Sequence, residues 1–393
     1  MQKGIEQYQG FSFENAPSRA RRIVRAGDVI VSTVRTYLKA VASIHDDKDV
    51  IVSTGFAVIR PKEVDSRFLA YSLANHYFVE MVSSRSTGVS YPAINASAMV
   101  NIKNILPPND IQKCIADYLD RKTEAVDTAI SDKEKLIRLL EEQRTSVICS
   151  AVTKGIDSTA EMKDSGNEWL GYIPSHWRVV PAKALFAQSK EIRHETDAQL
   201  TASQKYGIIS QDDYMERQNY KIVLADKGLE NWKHVEPNDF IISLRSFQGG
   251  LEISYIPGCI TWHYIVLKPK AGVEPEYFKW LFKSPRYIQA LQRTANFIRD
   301  GQDLRFSNFV QVPLPLIPMD EQKEIADYLN KKTARIDSII ADVTEQIKKL
   351  KEYRQSIISA VVTGKVAVGL VIITFCGFVP SSGNSFIMLL SLF

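Results

Sequence analysis

The side chains able to make or break bonds are scattered along this chain rather than gathered. Its six histidines stand singly, with no His-Glu-x-x-His spacing, and a lone histidine is more often a satisfied structural group than a ligand. The acidic residues are dispersed or lie along helical stretches, whereas a metal-dependent nuclease needs clustered carboxylates. There is no Gly-x-x-x-x-Gly-Lys-Ser/Thr phosphate loop and no Asp/Asn-Pro-Pro-aromatic element of an adenine methyltransferase. Cys114, Cys149, Cys259 and Cys376 form no Cys-x-x-Cys pair, so neither a disulfide framework nor a zinc site is suggested, and a reducing cytoplasm is the expected setting. What the chain does concentrate is hydrogen-bonding and cationic groups. Two polar loops, Ser83 to Pro92 and Arg293 to Ser307, hold Gly88 and Gly301 among Arg, Ser, Thr and Asn. Arg35 and Arg245 each follow a serine, Ser32 or Ser243, at the end of a β-rich run. Groups of this kind grip a partner and do not cleave it; the chain reads as non-catalytic, with no cofactor and no metal.

These loops belong to a sequence that repeats itself. The stretch from Leu106 to Thr153 returns from Leu316 to Thr363, with roughly half the positions identical and no gap. Ile115-Ala116-Asp117-Tyr118-Leu119 recurs as Ile325-Ala326-Asp327-Tyr328-Leu329, Lys122-Thr123 as Lys332-Thr333, and Asp127, Arg144 and Ser146 as Asp337, Arg354 and Ser356. The preceding segments repeat more faintly. Arg25-Ala26-Gly27-Asp28-Val29-Ile30-Val31-Ser32 aligns with Glu236-Pro237-Asn238-Asp239-Phe240-Ile241-Ile242-Ser243, each a turn leading into a strand. Val64 to Leu73 aligns with Val273 to Phe282 as a short helix. The order is therefore globular segment, helix, globular segment, helix.

Proline-bearing stretches, Leu106-Pro107-Pro108 and Leu314-Pro315-Leu316-Ile317-Pro318, precede the strong repeats and hold the chain out of the α region. Asp110 and Asp320 follow as expected N-caps, and each helix can run to Gly155 or Gly364, roughly 60 Å at the usual rise. Val126, Ile130, Ile137, Leu140 and Val147 alternate steps of three and four, with Lys133 and Arg144 interrupting. Ile336, Ile340, Val343, Ile347, Leu350, Ile357 and Val361 do the same around Arg354. A narrow stripe of this kind is the coiled-coil pattern, and the nearest partner for each helix is the other copy. A chain of 393 residues, 45% hydrophobic and 24% charged, has room for two or three domains, and its net charge of +4 permits nucleic-acid binding without demanding it. No secretory signal pattern opens the chain.

Taken together, the Leu-Pro-Pro-x-x-x-Gln element with its Ile-Ala-Asp-Tyr-Leu run, the Asp320-Glu321-Gln322 counterpart, the Glu168-Trp169-Leu170-Gly171-Tyr172-Ile173-Pro174-Ser175-His176-Trp177 opening and the Gly-Asp-Val-Ile-Val-Ser element resemble the specificity subunit of type I restriction-modification systems. The resemblance covers roughly residues 20 to 365. It implies an α+β protein in which two α/β target recognition domains alternate with two long helices paired as an antiparallel coiled coil. The implied divisions are a first recognition domain (1–105), a first spacer helix (106–155), a second recognition domain (156–315), a second spacer helix (316–365) and an apolar tail (366–393). It further implies a non-catalytic cytoplasmic subunit that binds a two-part, asymmetric double-stranded DNA site and recruits DNA adenine methyltransferase (modification) subunits and restriction subunits, with no membrane association.

Such a domain needs Arg or Lys for phosphates and a few Arg, Gln or Ser side chains for base edges. The expected contacts are Arg35, Tyr37, Lys39, Ser84, Arg85, Ser86 and Thr87 in the first domain, and Arg245, Ser246, Gln248, Arg299, Gln302 and Arg305 in the second. Trp169 and Trp177 are read as packing. Two departures from the family pattern stand out. The Trp-x-Gly-x-Ile-Pro opening has no first copy, so the first domain is expected to be shortened by roughly forty residues by repeat arithmetic. The apolar tail, broken by Pro380-Ser381-Ser382-Gly383-Asn384, is expected to carry no function. The alternative reading is a shortened remnant that acts as a methyltransferase-binding scaffold with one working half-site domain.

Overall fold

The computed structural model describes residues 9–45, 50–219, 228–243, 246–294 and 304–368. Arg245, Arg299, Gln302, Gly301 and most of the apolar tail lie outside these residues. The chain divides into two compact units, residues 1–135 with 343–393 and residues 136–342. Among the described residues no helix is long and apolar enough to cross a membrane.

In the first unit, strands β1 (Ala20–Val24), β2 (Val29–Ser32), β3 (Val41–Ser43), β4 (Val50–Ser53) and β5 (Phe56–Ile59) form an antiparallel β1-β4 pair and a three-stranded sheet ordered β3-β2-β5. The β-branched run Val29-Ile30-Val31 is buried throughout, as the central strand must be. Helices α1 (Ser66–Ala74), α2 (His76–Ser84) and α3 (Ala96–Val100) cover the sheet, and α4 (Asn109–Lys154) follows. Asp65 caps α1 by accepting the Arg67 and Phe68 amides, and Asn75 caps α2 through the Phe78 amide. Val29, Val31, Ala57, Leu73, Phe78, Val82, Ile94, Met99 and Ile102 make the core.

The second unit elaborates the same plan. Its opening folds as a β6 (Met162–Asp164) and β7 (Tyr172–Pro174) hairpin, β8 (Arg178–Val180), α5 (Ala182–Leu185) and β9 (Phe186–Gln188). Next come a β10 (Leu200–Ser203) and β11 (Gly207–Ser210) hairpin, α6 (Gln211–Gln218), β12 (Lys233–Val235), β13 (Phe240–Ile242), α7 (Ser246–Gly249), β14 (Glu252–Ile253), β15 (Gly258–Ile260) and β16 (Ile265–Pro269). Then α8 (Pro275–Lys283), α9 (Pro285–Arg293), α10 (Phe306–Phe309) and β17 (Leu314–Leu316) lead into α11 (Met319–Val362). The main sheet runs β14-β13-β16-β9, so β13 is the counterpart of β2 and β16 of β5. The extra strand β9 comes from the opening that has no first copy. Phe186 at its start meets Phe240, Phe278 and Phe309 edge to face at 5.1–5.8 Å between centroids. Trp177 is fully buried and donates its indole N–H to Glu321 at 3.0 Å, and Trp169 donates to the Pro313 carbonyl, so both tryptophans are packing residues as read. β8 pairs with β17, which buries Leu314 completely. In the first unit the corresponding stretch is not a strand, and Ile105 and Leu106 are 50% and 65% exposed.

The two long helices run antiparallel within each unit. In the first, the Arg354 guanidinium grips Asp127 with bonds of 2.8 and 2.9 Å, and Lys133 reaches Gln346. In the second, Arg144 grips Asp337 at 2.9 Å. The arginines that interrupt each apolar stripe are thus paired with the recurring aspartates across the seam. Such exposed pairs contribute only ~0.2–1 kcal/mol each, and their planar geometry sets register more than stability. Within the stripe Val126, Ile336, Val343, Ile347, Ile357 and Val361 are buried, and Ile130, Ile137, Leu140, Val147, Ile340 and Leu350 are half-buried. Asp110 and Asp320 are not N-caps: the helices begin at Asn109 and Met319, and the aspartates lie one residue inside the first turn, where their charge still opposes the free amides favourably. Both helices end as expected, with Gly155 and Gly364 at φ 73° and 75° just past the last turn.

The recurring glutamine explains itself structurally. Gln112, 2% exposed, accepts the Asp65 amide N–H and donates to the Pro107 carbonyl. Gln322, 1% exposed, accepts the Glu274 amide N–H and donates to the Gly272 and Ile317 carbonyls. Each ties the turn ahead of a short helix, α1 or α8, to the root of a long one. Gln322→Ala removes the partner of three backbone groups, of which the Ile317 carbonyl is buried, and is expected to destabilise the second unit by about 1–3 kcal/mol in denaturant unfolding. A cost below ~0.5 kcal/mol would show that the joint is dispensable.

The equivalent turn aspartates have opposite electrostatics. Asp28 is held below its ordinary pKa, first by the hydrogen bonds from Arg60, at 2.9 and 2.7 Å, despite its burial. Burial instead pushes Asp239 up to about 6, although its carboxylate accepts the Glu236 amide N–H. Asp28 therefore supports stability above the unfolded carboxyl value near 3.8 and loses that support as pH falls. Asp239, protonated in the folded state where the unfolded chain has ionised, costs stability as pH rises from about 4 through about 6. Asp239→Asn is expected to raise the melting temperature at pH 7.5 by a few degrees, about 2–4 °C per kcal/mol recovered, and to leave it unchanged at pH 4. An equal gain at both pH values would refute this assignment.

Candidate nucleic-acid interface

The loop after β2 is a built structure. A single 3-10 turn, Thr36–Leu38, is bracketed by Arg35 and Lys39 in the left-handed region at φ 49° and 52°. Non-glycine residues avoid that region by ~1–2 kcal/mol each, so the surroundings must impose it. Thr36 is buried and donates its hydroxyl to Ser86 Oγ at 2.7 Å, while Ser86 donates to the Val82 carbonyl and Ser83 to the Thr36 carbonyl. Lys39 pairs with Glu80, whose carboxyl that contact holds below its ordinary range. Thr87 exchanges two backbone hydrogen bonds of 2.9 Å with Ala93, which closes the turn through Gly88 at φ 113°.

The expected contacts therefore divide. Ser86, Thr87 and Lys39 hold the loop, and Ser84 Oγ turns back to the Met81 carbonyl at 3.1 Å. Arg35, Tyr37 and Arg85 face solvent. The Arg35 guanidinium lies 4.8 Å from the ring centroid of Tyr91, itself 65% exposed, and Val34, Leu38 and Val89 widen the exposed patch. Sequence reading missed Tyr91; the signal was an aromatic set beside proline inside a polar glycine turn.

In the second unit the loop after β13 turns back through α7. Ser246 is 1% exposed and its Oγ accepts the Ser243 amide N–H at 2.9 Å, so it holds the loop and does not face outward. Gly250, at φ 79°, allows the chain to approach α8: a Cβ there would sit 2.1 Å from the Phe282 carbonyl oxygen. Gln248 is exposed on α7. Arg305 is exposed ahead of α10, with its amide N–H on Asn308 Oδ1 at 3.0 Å. It lines a concavity of about 660 Å³ together with Gln188, Lys233, Trp262, His263 and Ser307. Trp262 is 55% exposed and stacks on His263 with centroids 3.5 Å apart. Burial lowers the pKa of Lys233, whose ammonium donates to the Tyr264 carbonyl. Trp262 and His263 also escaped the sequence reading, although Thr-Trp-His-Tyr in the connection between two strands is an unusual density of rings. Each unit thus presents a guanidinium beside an exposed aromatic surface, a combination suited to phosphates, bases and sugar faces.

Comparison with known proteins agrees with this geometry. A family model described as type I restriction modification DNA specificity domain matches residues 19–137 and 174–349. The MjaVIII specificity subunit of a type I restriction enzyme from Methanocaldococcus jannaschii is 24% identical over 332 residues, covering 78% of this chain and 72% of that one. The EcoKI specificity subunit of Escherichia coli strain K12 is 20% identical over 331 residues, covering 79% and 68%. A chain in a solved structure on complex assembly and conformational transition of the type I R-M system has the same fold, with a TM-score of 0.67, 20% identity, and 88% and 84% of the two chains covered. With most of both units inside the family match, the two sheet-and-helix domains are target recognition domains, and the chain belongs to the non-catalytic DNA specificity subunits of type I restriction-modification systems.

Proposed function

We propose that each unit reads one part of an asymmetric, two-part double-stranded DNA site, and that the paired helices carry DNA adenine methyltransferase subunits to it, with restriction subunits joining that complex. The observation that carries this reading is the doubling of the interface. The inner strand β2 delivers its following loop to a surface bearing Arg35 and Tyr91, and the second unit, built around the matching strand β13, presents Arg305, Trp262 and His263 around one concavity. The side chains of the two surfaces differ, Arg35, Tyr37, Arg85 and Tyr91 against Trp262, His263 and Arg305, which supports different half-sites. Of the expected contacts in the second unit, Arg245, Arg299 and Gln302 remain part of this proposal.

Co-expression of the full chain with the modification subunit of its own system, followed by single-molecule sequencing of methylated adenines in the genome, is expected to return a two-part asymmetric motif. A symmetric motif would mean that one unit reads both halves, and a complex that forms yet yields no motif would favour a scaffold without recognition.

Arg35→Ala is expected to weaken binding of that DNA by ~1–3 kcal/mol. If Arg35 meets a phosphate, the loss is uniform across sequences and the slope of log K against log salt falls by about 1; if it meets a base edge, specificity relaxes in one half of the motif only. Unchanged affinity and motif would remove the loop after β2 from the interface.

A further inference from the structure

The second unit also gathers two of the six histidines that stand singly in sequence. The segment after β9 lies against β12, pinned by hydrogen bonds from the His234 amide to the Glu191 carbonyl (3.1 Å) and from the Arg193 amide to the Trp232 carbonyl (2.9 Å). This pairing stacks the rings of His194 and His234, 4.0 Å between centroids. It also brings one ligand atom from each of Glu191, His194 and His234 within 4.8 Å of one another.

Three further features mark a built cation site. His234 is 5% exposed, and its Nδ1 lies 2.8 Å from Asp197 Oδ2, which also accepts the His194 amide N–H. A carboxylate on Nδ1 fixes that nitrogen as the donor and leaves Nε2 with its lone pair, as a carboxylate behind a metal-binding histidine does. His194 Nε2 lies 3.4 Å from Glu191 Oε1, and Glu236 Oε1 lies 3.9 Å from His234 Nε2, so a second carboxylate stands at the rim. The Lys268 ammonium bridges Glu191 and Glu236 at 3.0 Å to each, which shows both carboxylates already converging on one positive charge.

We propose that Glu191, His194 and His234 form a binding site for a divalent transition ion of the zinc class, with Glu236 or water as fourth ligand. Two imidazoles and a carboxylate suit zinc, whereas magnesium and calcium take oxygen sets. Zinc–nitrogen bonds of ~2.0–2.1 Å require the donors to draw inward by about an ångström, which the exposed side chains of Glu191 and His194 can supply. The bound ion clips the segment after β9 to β12, and Lys268 competes with it for the carboxylates.

The test uses the full chain, stripped with a chelator and titrated with zinc chloride in excess magnesium, read by calorimetry and thermal melting. One equivalent is expected to bind and to raise the melting temperature of the protein. Glu191→Gln and His194→Ala, both exposed, are each expected to weaken zinc binding at least tenfold while leaving the melting temperature of the stripped protein unchanged. Lys268→Met is expected to tighten it. Absence of zinc binding, or binding that all three variants leave unaltered, overturns the proposal.

Discussion

A buried amide side chain at the root of each long helix is the joint on which the architecture depends. Gln112 and Gln322 satisfy backbone groups that belong to two different elements, the turn ahead of α1 or α8 and the proline-bearing entry to α4 or α11. The two glutamines, 2% and 1% exposed, take the place of water as partners of those groups. A side chain with one acceptor and two donors is the smallest device that closes both accounts and holds a recognition domain at a fixed pose on its own helix. Around it the joints diverge in detail but keep their form. Tyr71 reaches Asp120 and Thr123 in the first unit, and Trp280 reaches Asn330 in the second, each anchoring a short helix to the long one about two to three turns further on.

The helix pair divides its work between apolar and ionic side chains. The stripe running through Val126, Val343 and Ile347 removes apolar surface from water without preferring one register strongly. The Arg354–Asp127 and Arg144–Asp337 pairs contribute little energy but have one geometry each, so a slipped seam would separate all four charges from their partners.

Much of this was legible because repetition amplifies it. The short helices α1 and α8, the paired long helices and the glycine stops follow from residues that occur twice, and the burial of Trp169 and Trp177 follows from ring size beside proline. Asp110 and Asp320 as N-caps are two residues out because Asn109 and Met319 already belong to the helix, which starts directly after the proline, and propensity says little about the exact first turn. Ser86 and Ser246 are expected DNA contacts whose hydroxyls instead bond within their own loops here, and a hydroxyl in a polar loop suits a ligand or the loop itself equally well in sequence. Trp262 with His263, and the gathering of Glu191, His194 and His234, depend on which strands become neighbours. His194 and His234 are forty positions apart, and no local pattern encodes their meeting.

The left-handed backbone at Arg35 restricts how this loop can diverge over evolutionary time. Because the conformation is imposed from outside by Thr36, Ser83 and Ser86, it persists whichever residue occupies position 35. Valine, isoleucine and threonine are excluded there by their branching, while glycine and asparagine relax the strain but surrender the guanidinium. The accessible alphabet at this corner is therefore short. On the proposed reading of this loop as a DNA contact, drift to a new target runs through the unstrained neighbours Tyr37, Arg85 and Tyr91, whose side chains vary without disturbing the frame that presents them.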